Sequence, residues 1–146
     1  QLRIPSAQPP ARADDLWRHT CCEAFIALPG DPAYQEWNFS PSGEWALYHF
    51  RDYRERRPLK DDGPAPEIVV HQTPDGLTLN ARIHLPHRLT ENPLQLALSA
   101  VLEDERGNLS YWALMHSSDK PDFHRRDAFA LGVAPLNDAA TRKEPQ

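Results

Sequence analysis

Apolar positions in this chain recur at every second residue, in short runs cut by Pro, Gly and Asp. That is the pattern of β-strands rather than of helices. Residues 19–28 are dense in Thr, Cys, Phe and Ile and predict a buried strand, ended by Pro29-Gly30-Asp31-Pro32. In residues 34–40, Tyr34, Glu36 and Asn38 fall on one side and Gln35, Trp37 and Phe39 on the other. Pro41-Ser42-Gly43 predicts a tight turn. In the returning strand, residues 44–50, Trp45, Leu47 and His49 oppose Ala46, Tyr48 and Phe50. Two such runs joined by a short Pro/Gly turn are a hairpin signal. Residues 52–66 are charged and proline-bearing and predict a loop. The β-branched run 67–73 turns at Pro74-Asp75-Gly76 and returns over 77–85, with Leu77, Leu79, Ala81, Ile83 and Leu85 in phase. A loop over 86–93, a third hairpin pairing 94–102 with 109–115, and a last strand over 127–133 complete the pattern. About eight short strands at near-regular spacing, with no amphipathic helix, predict an all-β antiparallel sandwich, jelly-roll or immunoglobulin-like.

Composition narrows this little. The 146 residues suit one domain, and a hydrophobic share of 40% with 25% charged residues is that of a globular chain able to bury a core. Residues 1–15, with three prolines and no period, predict an extended arm; residues 136–146 predict a flexible tail. No apolar run approaches the ~18 residues of a membrane helix, so no membrane partner is expected. A net charge of −5 argues against nucleic acid, whose phosphates require clustered positive charge. The run Arg51 to Arg57 mixes basic and aromatic residues, but its interleaved acids predict a solvated loop. Cys21 and Cys22 are adjacent, point to opposite faces of a strand, and cannot bridge each other readily. Unpaired cysteines point to a reducing compartment, and on that basis a cytoplasmic location is expected.

Particular residues also look familiar. Leu16-Trp17-Arg18-His19-Thr20-Cys21-Cys22-Glu23-Ala24-Phe25 and Glu36-Trp37-Asn38-Phe39-Ser40-Pro41-Ser42-Gly43-Glu44-Trp45-Ala46-Leu47-Tyr48, followed by Tyr111-Trp112-Ala113-Leu114-Met115-His116 and Lys120-Pro121-Asp122-Phe123-His124, resemble bacterial DOMON-like proteins, relatives of the type-9 carbohydrate-binding modules. The resemblance covers roughly residues 16–133 and places the domain at 16–135. It implies a β-sandwich that binds a sugar or a haem. Such domains begin with further strands ahead of the Leu-Trp motif, whereas fifteen residues precede it here. The expectation is therefore a sandwich whose first strands are missing from this chain or supplied otherwise.

The candidate site follows from side-chain chemistry. Four tryptophans suit sugar stacking, in which a C–H face packs on an indole while carboxylates and amides bond the hydroxyls. Trp45 and Trp112 are the candidate platform, with Trp17 and Trp37 as packing residues; all four could equally serve the core. Glu23 interrupts an apolar strand. A buried carboxylate needs a partner, so it either bridges to Arg51 or Arg54 or faces a cleft, and its place in the resemblance favours the cleft. Asn38 joins the ligand-binding set. His116, by strand parity on the face of Trp112, lies near Asp122 and His124 in sequence. These three could anchor a loop, contact a ligand or hold a divalent metal, although their spacing matches no established metal motif. Haem is the alternative cofactor. Met115 and His116 point oppositely and cannot grip one iron together, which leaves a bis-His arrangement open. No nucleophile–base pair stands at a recognisable spacing. The expectation is a non-catalytic module for a small ligand, foremost a carbohydrate, bound by Glu23, Asn38, Trp45, Arg51, Trp112, His116, Asp122 and His124, without metal or cofactor. A metal site at His116, Asp122 and His124, haem binding and a purely protein-interacting module are the alternatives.

Overall fold

The computed structural model describes residues 1–58, 61 and 63–135; the tail expected over 136–146 lies outside them. Among the described residues nine strands form: β1 (Cys21–Ala27), β2 (Tyr34–Phe39), β3 (Trp45–Asp52), β4 (Glu55–Arg57), β5 (Glu67–Thr73), β6 (Gly76–Arg82), β7 (Leu94–Glu103), β8 (Leu109–Ala113) and β9 (Leu131–Val133). Seven make one antiparallel sheet in the order β4-β3-β2-β1-β7-β8, with β9 pairing the first residues of β7. β5 and β6 form a separate hairpin. The architecture is an all-β antiparallel sandwich, as the alternation predicts.

Both faces of the large sheet are covered where β1, β2 and β3 run. Because side chains alternate along each strand, one face collects Phe25, Ala27, Tyr34, Ala46, Tyr48, Phe50 and Ala97, and the other Ile26, Trp37, Phe39, Trp45, Leu47 and Leu94. The second of these faces is capped by the β5–β6 hairpin through Ile68 and Leu79, with Ile83, Leu85 and Leu89 continuing the cover. Among the described residues no strand covers the first. A loop from residue 114 to 130 crosses it, inserting Phe123 and Phe129, and Leu16 packs there too. We call this loop-covered face the inner face.

The arm is extended, as expected, but it is docked. Ala13 N–H donates to Trp45 O at 2.9 Å, Trp45 N–H to Ala11 O at 3.0 Å and Arg3 N–H to Glu103 O at 2.8 Å. Buried Thr20 completes the tie: its hydroxyl donates to Arg3 O at 2.7 Å and accepts the Glu103 N–H at 3.1 Å. The β2–β3 turn needs its glycine, since Gly43 sits at φ +94°, a conformation L side chains rarely adopt.

Several boundaries differ from expectation; the strand expected over 77–85, β6, ends at Arg82. The stretch 52–66 is not wholly loop. It contains β4, an exposed charged strand that pairs with β3 across a register shift. The 86–93 loop holds one helical turn, α1 (His87–Thr90). β8 stops at Ala113, two residues short. The last strand begins only at Leu131, because residues 126–128 form a 3-10 turn that buries Ala128 and leads into buried Phe129. No helix among the described residues is long and apolar enough to cross a membrane.

Candidate functional site

The inner face carries a cavity of about 500 Å³ lined by Trp17, Glu23, Glu36, Phe50, Arg54, Arg56, Val101, Tyr111, Pro121, Phe123 and His124. Its floor is sheet. Glu23 on β1 and Glu36 on β2 share the inner face in phase with Phe25 and Tyr34, and each is only 6% exposed. In the β1–β2 register Glu23 lies opposite Asn38 and Glu36 opposite Phe25, so the two carboxyls are diagonal neighbours. The walls come from outside the central strands. Trp17 stands on the 3-10 turn before β1, Tyr111 on β8, and Arg54 and Arg56 on the β3–β4 hairpin. Pro121, Phe123 and His124 come from the crossing loop.

Among the described residues neither buried carboxyl has an arginine or lysine within ion-pair distance. Glu23 accepts a hydrogen bond from Ser99 Oγ at 3.1 Å. Burial, reinforced by the charge of Glu36 and only partly offset by Ser99, pushes its pKa up to about 8, so at neutral pH it carries a proton. Glu36 is also raised by burial; the Asn38 amide, which donates to its Oε1 at 3.1 Å, and the guanidiniums of Arg56 and Arg54 pull the other way. Asn38, beside the two carboxyls on the same face, is fully buried, and among the described residues nothing donates to its Oδ1.

His124 locks the loop onto the sheet. Its ring inserts between Phe25 and Phe50, edge-on to both with centroids at 5.1 and 5.0 Å. Tyr34 Oη accepts the Arg54 N–H at 3.1 Å and shares a hydrogen bond with His124 Nδ1 at 2.8 Å. The other ring nitrogen, Nε2, faces Glu36 Oε2 at 3.6 Å. Burial first, then the charge of Arg54, depresses the imidazole to about 4, so it is neutral. Asp122 fastens the same loop: it accepts from Arg54 Nη2 at 2.8 Å, from His124 N–H at 3.2 Å and from Tyr53 Oη. Burial is the largest influence on Asp122 and would raise it, but Tyr53 and Arg54 together hold it below the usual carboxylate range. Arg54 itself has φ +53°, an uncommon backbone for a non-glycine residue, and this turn aims its N–H at Tyr34 and its guanidinium at Asp122.

Of the residues expected from sequence, Glu23 and His124 line the cavity, and Asn38, on the same face, bonds Glu36 without lining it. The others are displaced. Trp45, expected as a platform, is 6% exposed and packed against Trp37 on the opposite face. Trp112 is 61% exposed, but its register partner is Ala100, which places it on the outer face as well. His116 does not share that face, since β8 ends before it and its ring lies 6.1 Å from Phe123. Arg51 is exposed and pairs with Glu55, so it does not bridge to Glu23; nor does Arg54. Asp122 is a loop anchor beside the cavity and does not line it.

Trp17, expected to pack, is instead 43% exposed on the wall. Sequence does not single out Glu36, Arg56, Tyr111 or Phe123 for the site, and it points to Arg54 only as a partner for Glu23. A signal exists for Glu36, a carboxylate in phase with core aromatics; the others arrive from a turn, an edge strand and a loop, whose approach alternation does not report.

Among the described residues no three His, Cys, Asp or Glu side chains are placed to hold a metal ion, so His116, Asp122 and His124 do not form the expected alternative site. Haem does not fit the lining either. It offers one histidine and no methionine or cysteine, and both ring nitrogens of that histidine face Tyr34 and Glu36. Comparison of the chain with protein-family models, with curated proteins and with solved structures found no match.

Proposed function

We propose that this protein is a non-catalytic binding module for a small polyhydroxylated ligand, a carbohydrate or close relative, and that it belongs with the DOMON-like sandwiches its motifs resemble. The observation that carries the reading is the composition of the inner-face cavity. Its floor has two buried carboxyls without arginine or lysine partners among the described residues, and its walls carry Trp17, Tyr111 and Phe123. A protonated Glu23 both donates and accepts, as does a sugar hydroxyl, while aromatic faces suit the C–H faces of a pyranose. Ligand pockets combine apolar walls with a few convergent polar groups in this way. The expected platform moves from Trp45 and Trp112 to Trp17.

The test is calorimetric titration with a panel of mono- and oligosaccharides, read in parallel by tryptophan emission. At least one sugar is expected to bind and to change indole fluorescence. Trp17→Ala is expected to abolish that change and weaken binding while leaving the unfolding midpoint nearly unaltered. Absence of heat and of any emission change across the panel refutes the reading.

A further inference from the structure

The cavity is not uniformly acidic. Arg54 and Arg56 stand two residues apart on the β3–β4 hairpin and both line it. They are not equivalent. The charge of Arg54 is taken up by Asp122 at 2.8 Å. Arg56 has no ion pair among the described residues. Its guanidinium carbon lies over Tyr48, 3.9 Å from the ring centroid, and 6.0 Å from that of Phe50. Asp14 feels its charge without pairing with it; the Asp14 Oδ1 accepts from Tyr48 Oη at 2.7 Å and Arg12 at 3.1 Å. Packing on a ring restrains a guanidinium, and its planar N–H fork suits a carboxylate held by two bonds.

We infer that the ligand is a sugar acid, a polyhydroxy carboxylate whose carboxylate seats on Arg56 and whose hydroxyls meet Glu23 and Glu36. The inference rests on the carbohydrate reading above and deepens it. One end of the cavity offers a cation without a carboxylate partner, and its floor offers acceptors with, at Glu23, a donor. A neutral sugar would use the floor and leave Arg56 unanswered. A plain anion such as acetate would use Arg56 and leave the floor unanswered. A uronate or aldonate answers both.

The test compares D-glucuronate, D-galacturonate and D-gluconate with glucose and galactose by calorimetry, on the wild-type chain and on Arg56→Gln and Arg56→Lys. The acids are expected to bind roughly ten- to a hundredfold more tightly than the neutral parents, the range one charge-assisted contact supplies. Raising the salt concentration is expected to narrow that gap, since the contact lies at the mouth of an open cavity. Arg56→Gln is expected to weaken the acids roughly ten- to a hundredfold more than the neutral sugars, closing the gap between the two classes. Arg56→Lys, which keeps a charge without the fork, is expected to fall between, and it carries the comparison if the glutamine variant does not fold. Equal affinity for acids and neutral parents overturns this inference and leaves the carbohydrate reading standing. Equal weakening of both by Arg56→Gln overturns it as well, because that marks a residue holding the hairpin rather than the ligand. Binding of neither class overturns both readings.

Discussion

The protonated state of Glu23 makes a prediction about stability that is independent of any ligand. The perturbation is Glu23→Gln, which keeps an acceptor for Ser99 Oγ and removes the ionisation. In the unfolded chain the carboxyl titrates near 4.5, in the folded protein near 8. A carboxyl raised on folding contributes stability that is fully present below about 4.5 and is lost as pH climbs towards 8. The loss is about 1.4 kcal/mol per pH unit, or about 3 kcal/mol by pH 7. His124 acts in the opposite sense. Its pKa falls from 6.5 to about 4, so its contribution is present above 6.5 and is lost as pH drops, by up to about 3 kcal/mol.

Between pH 4.5 and 6.5 the two slopes oppose each other. Wild-type stability is expected to be nearly level there and to decline from 6.5 to 8, with Glu36, also raised, adding to the decline. The Glu23→Gln variant is expected to rise from pH 4 to 6.5 and to change less above, exceeding wild type by about 3 kcal/mol at pH 7 and matching it near pH 4. Urea unfolding at half-unit steps from about pH 4 to 8.5 measures both curves. If they run parallel, Glu23 is ionised in the folded protein, and the account of the cavity floor is wrong.

Three further outcomes follow from burial and bonding. Trp45→Ala is expected to cost about 3–5 kcal/mol as a core aromatic, whereas Trp112→Ala, on the exposed outer face, stays within about 0.5 kcal/mol; chemical denaturation of the two variants separates them. Asp122→Asn weakens the contacts to Arg54, Tyr53 and the His124 amide, and is expected to cost about 1–2 kcal/mol. Hydrogen exchange is expected to show faster opening of the loop carrying Phe123 and His124 with the β1–β2 amides unchanged. A native-state thiol assay is expected to leave Cys21 unmodified, because it is fully buried and burial raises its pKa, with only slow reaction at half-buried Cys22, and to find both after denaturation.

How far the sequence reached can be traced residue by residue. Alternation and turn residues place the central strands to within a residue or two, and β5 falls on 67–73 as expected, because β-branched runs bounded by Pro and Gly have few other uses. β4 escapes because Glu55-Arg56-Arg57 has no apolar phase; an edge strand exposed to water needs none. Tryptophan placement fails for a related reason. Parity puts Trp45 on one face and Tyr48 on the other, but it does not say which face a hairpin covers and which a loop only crosses. The cavity exists because of that difference, so its walls were illegible, and of its floor Glu23 was singled out but Glu36 was not.

The floor carries the strongest physical argument for a site. Glu23, Glu36 and Asn38 occupy inward positions on central strands, where Phe25, Tyr34 and Ala46 do the packing, and all three are buried. Burying a carboxyl without a cationic partner opposes folding. A leucine or valine at either glutamate position would remove that opposition, and the Asn38 Oδ1 would lack a donor no more than it does now. The crossing loop adds a second unfavourable element. His124 is buried at the expense of its charged form, in the loop segment that covers Glu36, and Arg54 adopts a left-handed backbone to hold that segment down. Each feature lowers stability, and each borders the same 500 Å³. Scattered over the molecule they would be ordinary imperfections. Gathered around one cavity, with an arginine that has no ion pair among the described residues on its wall, they have the distribution expected of a site whose polar groups are arranged to meet a ligand rather than one another.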